Sequence, residues 1–166
     1  MMQRLGEYRD KKPAEAVRFL VDEGFIEVDE RAVEILAANS YDLEFLFRNH
    51  PNVLITEQAV IQAAADEKAL CILLEKRIED IPISTKVILA VAGALNPVAN
   101  LQRVLEHFGW RILITEDVLT AAARNFAALQ LLLEAPGPNV PVPASEKVVV
   151  HATYRDLSAL VWLFQG

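Results

Sequence analysis

Three histidines, one cysteine and two acidic pairs are what this sequence of 166 residues offers toward chemistry. His50, His107 and His151 stand far apart in the chain and read as surface or helix-terminal residues rather than a shared metal site. Cys71, being alone, excludes a disulfide within the chain and any cysteine-based zinc site. Its neighbours one turn either way, Lys68 and Glu75, roughly cancel, so no cation activates the thiol. Asp22-Glu23 and Glu79-Asp80 sit at the ends of apolar segments and read as solvated loop charge, not as a general acid and base. No G-x-S-x-G, no H-E-x-x-H and no Walker-type phosphate loop occurs. The sequence therefore predicts no catalysis, no cofactor and no metal. Only Trp110 and Arg111 stand out as recognition chemistry. They lie in a connection, where they either pack the loop or anchor a partner, since Trp and Arg are enriched at interface hot spots.

The charge balance narrows the partners. Sixteen Lys and Arg against 23 Asp and Glu give a net charge of −7, with no basic run longer than Lys11-Lys12. A binder of the phosphate backbone needs the opposite, so nucleic acid is not expected. The deficit is local. Residues 1–83 hold 10 basic and 17 acidic side chains, whereas residues 84–166 hold 6 of each. The segment Met1 to Pro13 has no apolar stretch of signal-peptide type, and no run reaches the ~18 apolar residues that a membrane span requires. The expectation is a cytoplasmic protein with no membrane contact.

The elements that would position such residues are helices. Ala and Leu together exceed a quarter of the chain, which is helix-forming composition. The prolines fall between apolar segments, at Pro13, Pro51, Pro82, Pro136, Pro138, Pro141 and Pro143, with Pro97 after the turn-opening Asn96. The segments also repeat. Ile55-Thr56-Glu57 leads to Ala63-Ala64-Ala65 and on to Leu73-Leu74-Glu75, and Ile114-Thr115-Glu116 leads to Ala121-Ala122-Ala123 and Leu132-Leu133-Glu134 without a gap. Looser copies open at Val28-Asp29-Glu30, Ile83-Ser84-Thr85 and Ser145-Glu146. Each copy reads as two short helices. Asp29, Thr56, Ser84, Thr115 and Ser145 cap the first, and Asn39, Asp66, Asn125 and Asp156 stand at the turn. There they either take up left-handed backbone or bond it locally. Asn96-Pro97 serves that turn in the third copy, inside an insertion of about three residues.

Helices of about ten residues are marginal alone, so pairs of them must stack. The predicted fold is all-α. It is an α-solenoid of about five helix-turn-helix repeats, starting near residues 28, 55, 83, 114 and 144, within a single domain of residues 1–166. The amphipathic stretch 13–24 serves as an N-terminal capping half-repeat.

The Ile-Thr-Glu…Ala-Ala-Ala…Leu-Leu-Leu pattern of residues 55–75 and 114–134 resembles the short ankyrin-like helical repeats of fungal proteins, which often follow the nucleotide-binding module of NACHT-class immune-receptor-like proteins. The motif is one of packing and capping, so the resemblance implies a recognition or scaffolding array and carries over no catalytic residue. The Thr-Pro-Leu-His signature of standard ankyrin repeats is missing.

Two positions after each cap come Arg31, Gln58, Lys86, Asp117 and Lys147, different in every copy; three further on come Glu34, Ile61, Leu89, Thr120 and Val150. A column mixing charge, amide, hydroxyl and aliphatic groups is expected to face solvent. Gln58, Ile61, Lys86, Leu89, Trp110, Arg111, Asp117 and Thr120 are the expected partner-binding set. Ile61 and Leu89 then form an apolar spot in a polar groove, unless a locally rotated helix buries both. The function read from this is protein–protein interaction. The alternatives are a small enzyme or ligand carrier using the concave face as a pocket, and an oligomerisation arm of a larger protein.

The C-terminal stretch 157–164 is apolar on nearly every side, so Leu160, Trp162 and Phe164 are expected to be covered by a second copy or by further repeats. Light scattering over a concentration series tests this. We predict association that Trp162→Glu weakens; a strict monomer indifferent to that substitution would refute it.

Overall fold

The computed structural model describes residues 13–135, and these are all-helical. The chain divides into two compact units, Met1–Pro82 and Ile83–Gly166. The first contains α1 (Pro13–Asp22), α2 (Glu30–Leu36), α3 (Ser40–Asn49), α4 (Glu57–Ala63) and α5 (Glu67–Lys76), followed by a single 3₁₀ turn at Ile78–Asp80. The second contains α6 (Thr85–Ala92), α7 (Pro97–Phe108), a 3₁₀ turn at Gly109–Arg111, α8 (Glu116–Ala122) and α9 (Phe126–Glu134).

Each first helix begins at the expected cap. The side chains of Asp29, Thr56, Ser84 and Thr115 accept from the backbone N–H of Ala32, Ala59, Val87 and Val118, three residues on. An aliphatic residue precedes every cap (Val28, Ile55, Ile83, Ile114), and another stands at the fourth helical position (Val33, Val60, Ile88, Leu119). This is the spacing of a hydrophobic staple that fixes how the chain enters the helix. Three-residue turns then lead into the second helices. Of the two roles open to Asn39, Asp66 and Asn125, the structure shows local bonding. All three are extended N-caps whose side chains accept backbone N–H groups of α3, α5 and α9. Among the described residues only Gly24, just past α1, has a positive φ, of 72°. The reason is geometric: the first helices end on αR alanines in a tight turn, and two residues later an extended residue already caps the following helix.

The third pair shows where its extra length goes. Its turn is one residue longer, ending on Asn96 with Pro97 at the first helical position, and α7 has 12 residues where α3 and α5 have 10.

Packing follows the caps. Within the first unit α2 lies on α4 and α3 on α5, while α1 covers both α2 and α3. Within the second unit α6 lies on α8 and α7 on α9. Four columns on each first helix, three, four, seven and eight residues after the cap, are buried throughout: Ala32, Val33, Leu36 and Ala37 in α2 and its cap, and their counterparts elsewhere. The small columns Ala37, Ala64, Ala92 and Ala123 are all buried, and the bare backbone of Gly93 lies close to α8, since a Cβ there would meet that of Ala121 at 3.8 Å. On the second helices Leu43, Leu70, Leu101 and Leu129, with Leu46, Leu73, Val104 and Leu132, are at most 1% exposed. Each such Leu contributes roughly 1.5–3 kcal/mol by leaving water.

A polar thread joins the layers of the first unit. Asp42 is only 3% exposed and accepts from Arg18 Nη1 at 2.7 Å and from Asn39 Nδ2. One oxygen of Asp66 caps α5 while the other accepts the Ser40 N–H of α3 at 3.1 Å. Thr56 caps α4 and donates its hydroxyl to Glu34 of α2 at 3.1 Å. Because Asp66 serves two helices, we predict that Asp66→Ala destabilises by about 2 kcal/mol and Asp29→Ala, a cap of one helix only, by about 1 kcal/mol. Urea unfolding measures both, and equal losses would show that the Ser40 bond contributes nothing.

Candidate functional site

The buried columns dictate what faces outward. With positions three, four, seven and eight after the cap turned inward, the helical period leaves positions two and five on the other side. Arg31, Gln58, Lys86 and Asp117 are all exposed. Glu34, Ile61 and Thr120 are half-buried, and Leu89 is 38% exposed. Neither Ile61 nor Leu89 is a core residue, which overturns the rotated-helix alternative. Ile61 belongs to the first unit and Leu89 to the second. Glu34 has a structural task in the bond to Thr56, which sequence reasoning missed because its partner is 22 residues away. Arg111 is exposed. Trp110 lies in the Gly109–Arg111 turn, and its side chain is outside the described structure. Leu160, Trp162 and Phe164, with Lys147, Val150 and His151, are outside the described residues.

The reactive residue types do not converge. Cys71 on α5 donates its thiol hydrogen to Glu75 Oε1 at 3.1 Å, so the acceptor beside it is an anion, the reverse of what activates a nucleophilic sulfur. His50 is the C-cap of α3, and His107 is exposed in the last turn of α7, edge-on to Phe108. Asp80 pairs with Arg77 at 2.6 Å. Among the described residues no three His, Cys, Asp or Glu side chains stand close enough to hold a metal ion, and no helix is long and apolar enough to cross a membrane.

Two concavities are present in the first unit that the sequence did not announce. One is a hollow of 410 Å³ beside Ser40, Tyr41, Lys68 and Cys71. The larger, an open trough of 680 Å³, runs between the connection after α1 and the loop after α3, and is lined by Ile26, Glu27, Val28, Pro51, Val53 and Leu54 among others. A guanidinium holds its far wall. Arg77 donates from Nη1 to the Pro51 carbonyl at 2.6 Å and from Nη2 to the Val53 carbonyl at 3.0 Å, while Nε engages Asp80. The ring of Phe47 lies 5.8 Å below it. The only local signal for this edge was the residue two before the cap, since Leu54 is 65% and Leu113 50% exposed. We predict that Arg77→Met, which keeps the aliphatic stem, costs about 1.5–3 kcal/mol. It should also speed hydrogen exchange in residues 52–54, and unchanged exchange there would show that the loop holds itself.

Comparison with known proteins adds little to this geometry. No curated protein and no solved structure matches the chain. A family model described as a domain of unknown function (DUF7104) matches it twice, at residues 72–94 and 104–127. The two stretches start 32 residues apart and cover corresponding pieces, the end of a second helix and the first helix of the next pair.

Proposed function

We propose that this chain is a stack of short ankyrin-like helix-turn-helix repeats, an α-solenoid, serving as a protein-interaction module without catalysis. The observation that carries the reading is a contrast between columns. In every described first helix the four inward positions are small or aliphatic and buried, while the position two after the cap is exposed and changes from Arg31 to Gln58, Lys86 and Asp117. A constant core beneath a varied surface is how a repeat array presents different chemistry along one face. The double match of one family model at a repeat-sized offset supports the same reading. The partner is another protein, met in the cytoplasm, through Gln58, Ile61, Lys86, Leu89, Trp110, Arg111, Asp117 and Thr120. A second copy at Leu160, Trp162 and Phe164 belongs to the same proposal. So does the likeness to the arrays of fungal NACHT-class proteins.

The test is affinity capture from source extract with the wild-type chain and with Ile61→Glu plus Leu89→Glu. Because neither side chain is core, the double variant is expected to keep its helical circular dichroism and its Tm within a few degrees. It should lose at least tenfold of the captured partner. Retention of the partner by the folded variant would remove these two side chains from the interaction, and a co-purifying small molecule in place of a protein would overturn the module reading.

A further inference from the structure

We propose that the trough between the connection after α1 and the loop after α3 docks an extended segment of a partner protein that carries lysine or arginine interleaved with aliphatic side chains. This deepens the interaction-module reading and rests on it. Aliphatic side chains open to solvent line the trough, beside His50 and Asn52. Ile26 is 39% and Leu54 65% exposed, Val28 and Val53 are half-buried, and Phe25 on the same connection is 46% exposed. Three of the seven large exposed apolar side chains among the described residues thus gather on this edge. Such a surface in water favours a partner that covers it.

The rim selects the partner's charge. Asp22, Glu23, Glu27, Asp29 and Glu30 are all exposed, and no Lys or Arg lies between residues 22 and 30. Glu27 itself lines the trough. A lysine or arginine can lay its methylene stem on Ile26 and Leu54 while its head reaches Glu27, the other four carboxylates adding negative potential along the same connection. An acidic or phosphorylated segment meets repulsion instead. The same charge opposes docking of trough against trough, because a second copy brings its own Glu27 and acidic connection.

Both walls are set before any partner arrives. Arg77 fastens the Pro51 and Val53 carbonyls on one side. On the other, Gly24 turns the chain at φ 72°, and the Phe25 and Ile26 N–H groups donate to the Leu20 carbonyl at 2.8 and 3.3 Å. A preformed groove loses less conformational entropy on binding.

The experiment uses the full ¹⁵N-labelled chain and a fluorescent heptapeptide, Lys-Pro-Leu-Lys-Pro-Leu-Lys, whose prolines keep it extended. Two control peptides replace every Lys by Glu or every Leu by Ser. Amide shifts are expected at residues 24–28, at His50 and at residues 52–54. Anisotropy should show binding that weakens with salt and falls at least tenfold for either control peptide, for Glu27→Lys and for Leu54→Ser. Leu113→Ser, at the matching position of the second unit, should bind as wild type does, and the dispersed spectrum of each variant reports its fold. Absence of binding, equal binding of the Glu peptide, or indifference to Glu27→Lys would overturn the proposal. Trough amides that shift with protein concentration alone would assign the surface to a second copy and overturn it as well. Shifts confined to the stripe at Gln58 and Ile61 would discard the trough while leaving the module reading in place. Failure of partner capture alongside a bound peptide would do the reverse.

Discussion

A seven-residue helix leaves about four of its backbone N–H groups without an internal acceptor, and that shortage governs this structure. The chain answers it at every α-helix start whose cap is described but one, with one oxygen-bearing side chain placed in extended backbone just before the first turn. The exception, α7, begins with proline, which has no N–H to satisfy. In the first unit the caps also reach sideways. Asp66 and Thr56 each hold a group on the preceding pair, so the device that starts one helix fixes its distance from the last. Apolar columns drive the layers together, but they are smooth. The caps supply register.

Much of this was legible because caps, turns and buried columns are local. The helical period and the Asp/Thr/Ser cap types locate α2, α4, α6 and α8 from residues within one turn of each other, and Pro13 and Gly24 bracket α1. Asp42 is a partial case. Its spacing from Asn39 is that of a capping box, yet its carboxylate accepts from the Asn39 side-chain amide and not from the backbone N–H, so a strict motif search passes over it. What no local pattern contained was the long reach of side chains. Arg18 to Asp42, Glu34 to Thr56 and Arg77 to Pro51 join residues 22 to 26 positions apart, about one repeat. A single sequence gives these pairs no distinguishing spacing. The trough is invisible for the same reason, since its walls come from two connections that only the fold brings together.

The asymmetry of charge acquires a location in the folded chain. Five of the carboxylates in the acidic first half crowd the connection after α1, on an edge where aliphatic side chains are left uncovered. Acidic groups there keep an apolar edge soluble. They also limit what can cover it, so solubility and selectivity come from the same side chains.

The longer third pair shows how such a chain absorbs a change of length. Its three additional residues are divided between the approach to α7 and α7 with its exit loop, while α6 and α8 keep their buried columns at the same distances from their caps. The first helices thus keep their buried columns fixed, and most of the added length enters in the turn between the two helices of the pair. A lineage that duplicates and trims such units can gain or lose residues in that turn without disturbing the buried columns, and new sequence can accumulate there while the core stays unaltered.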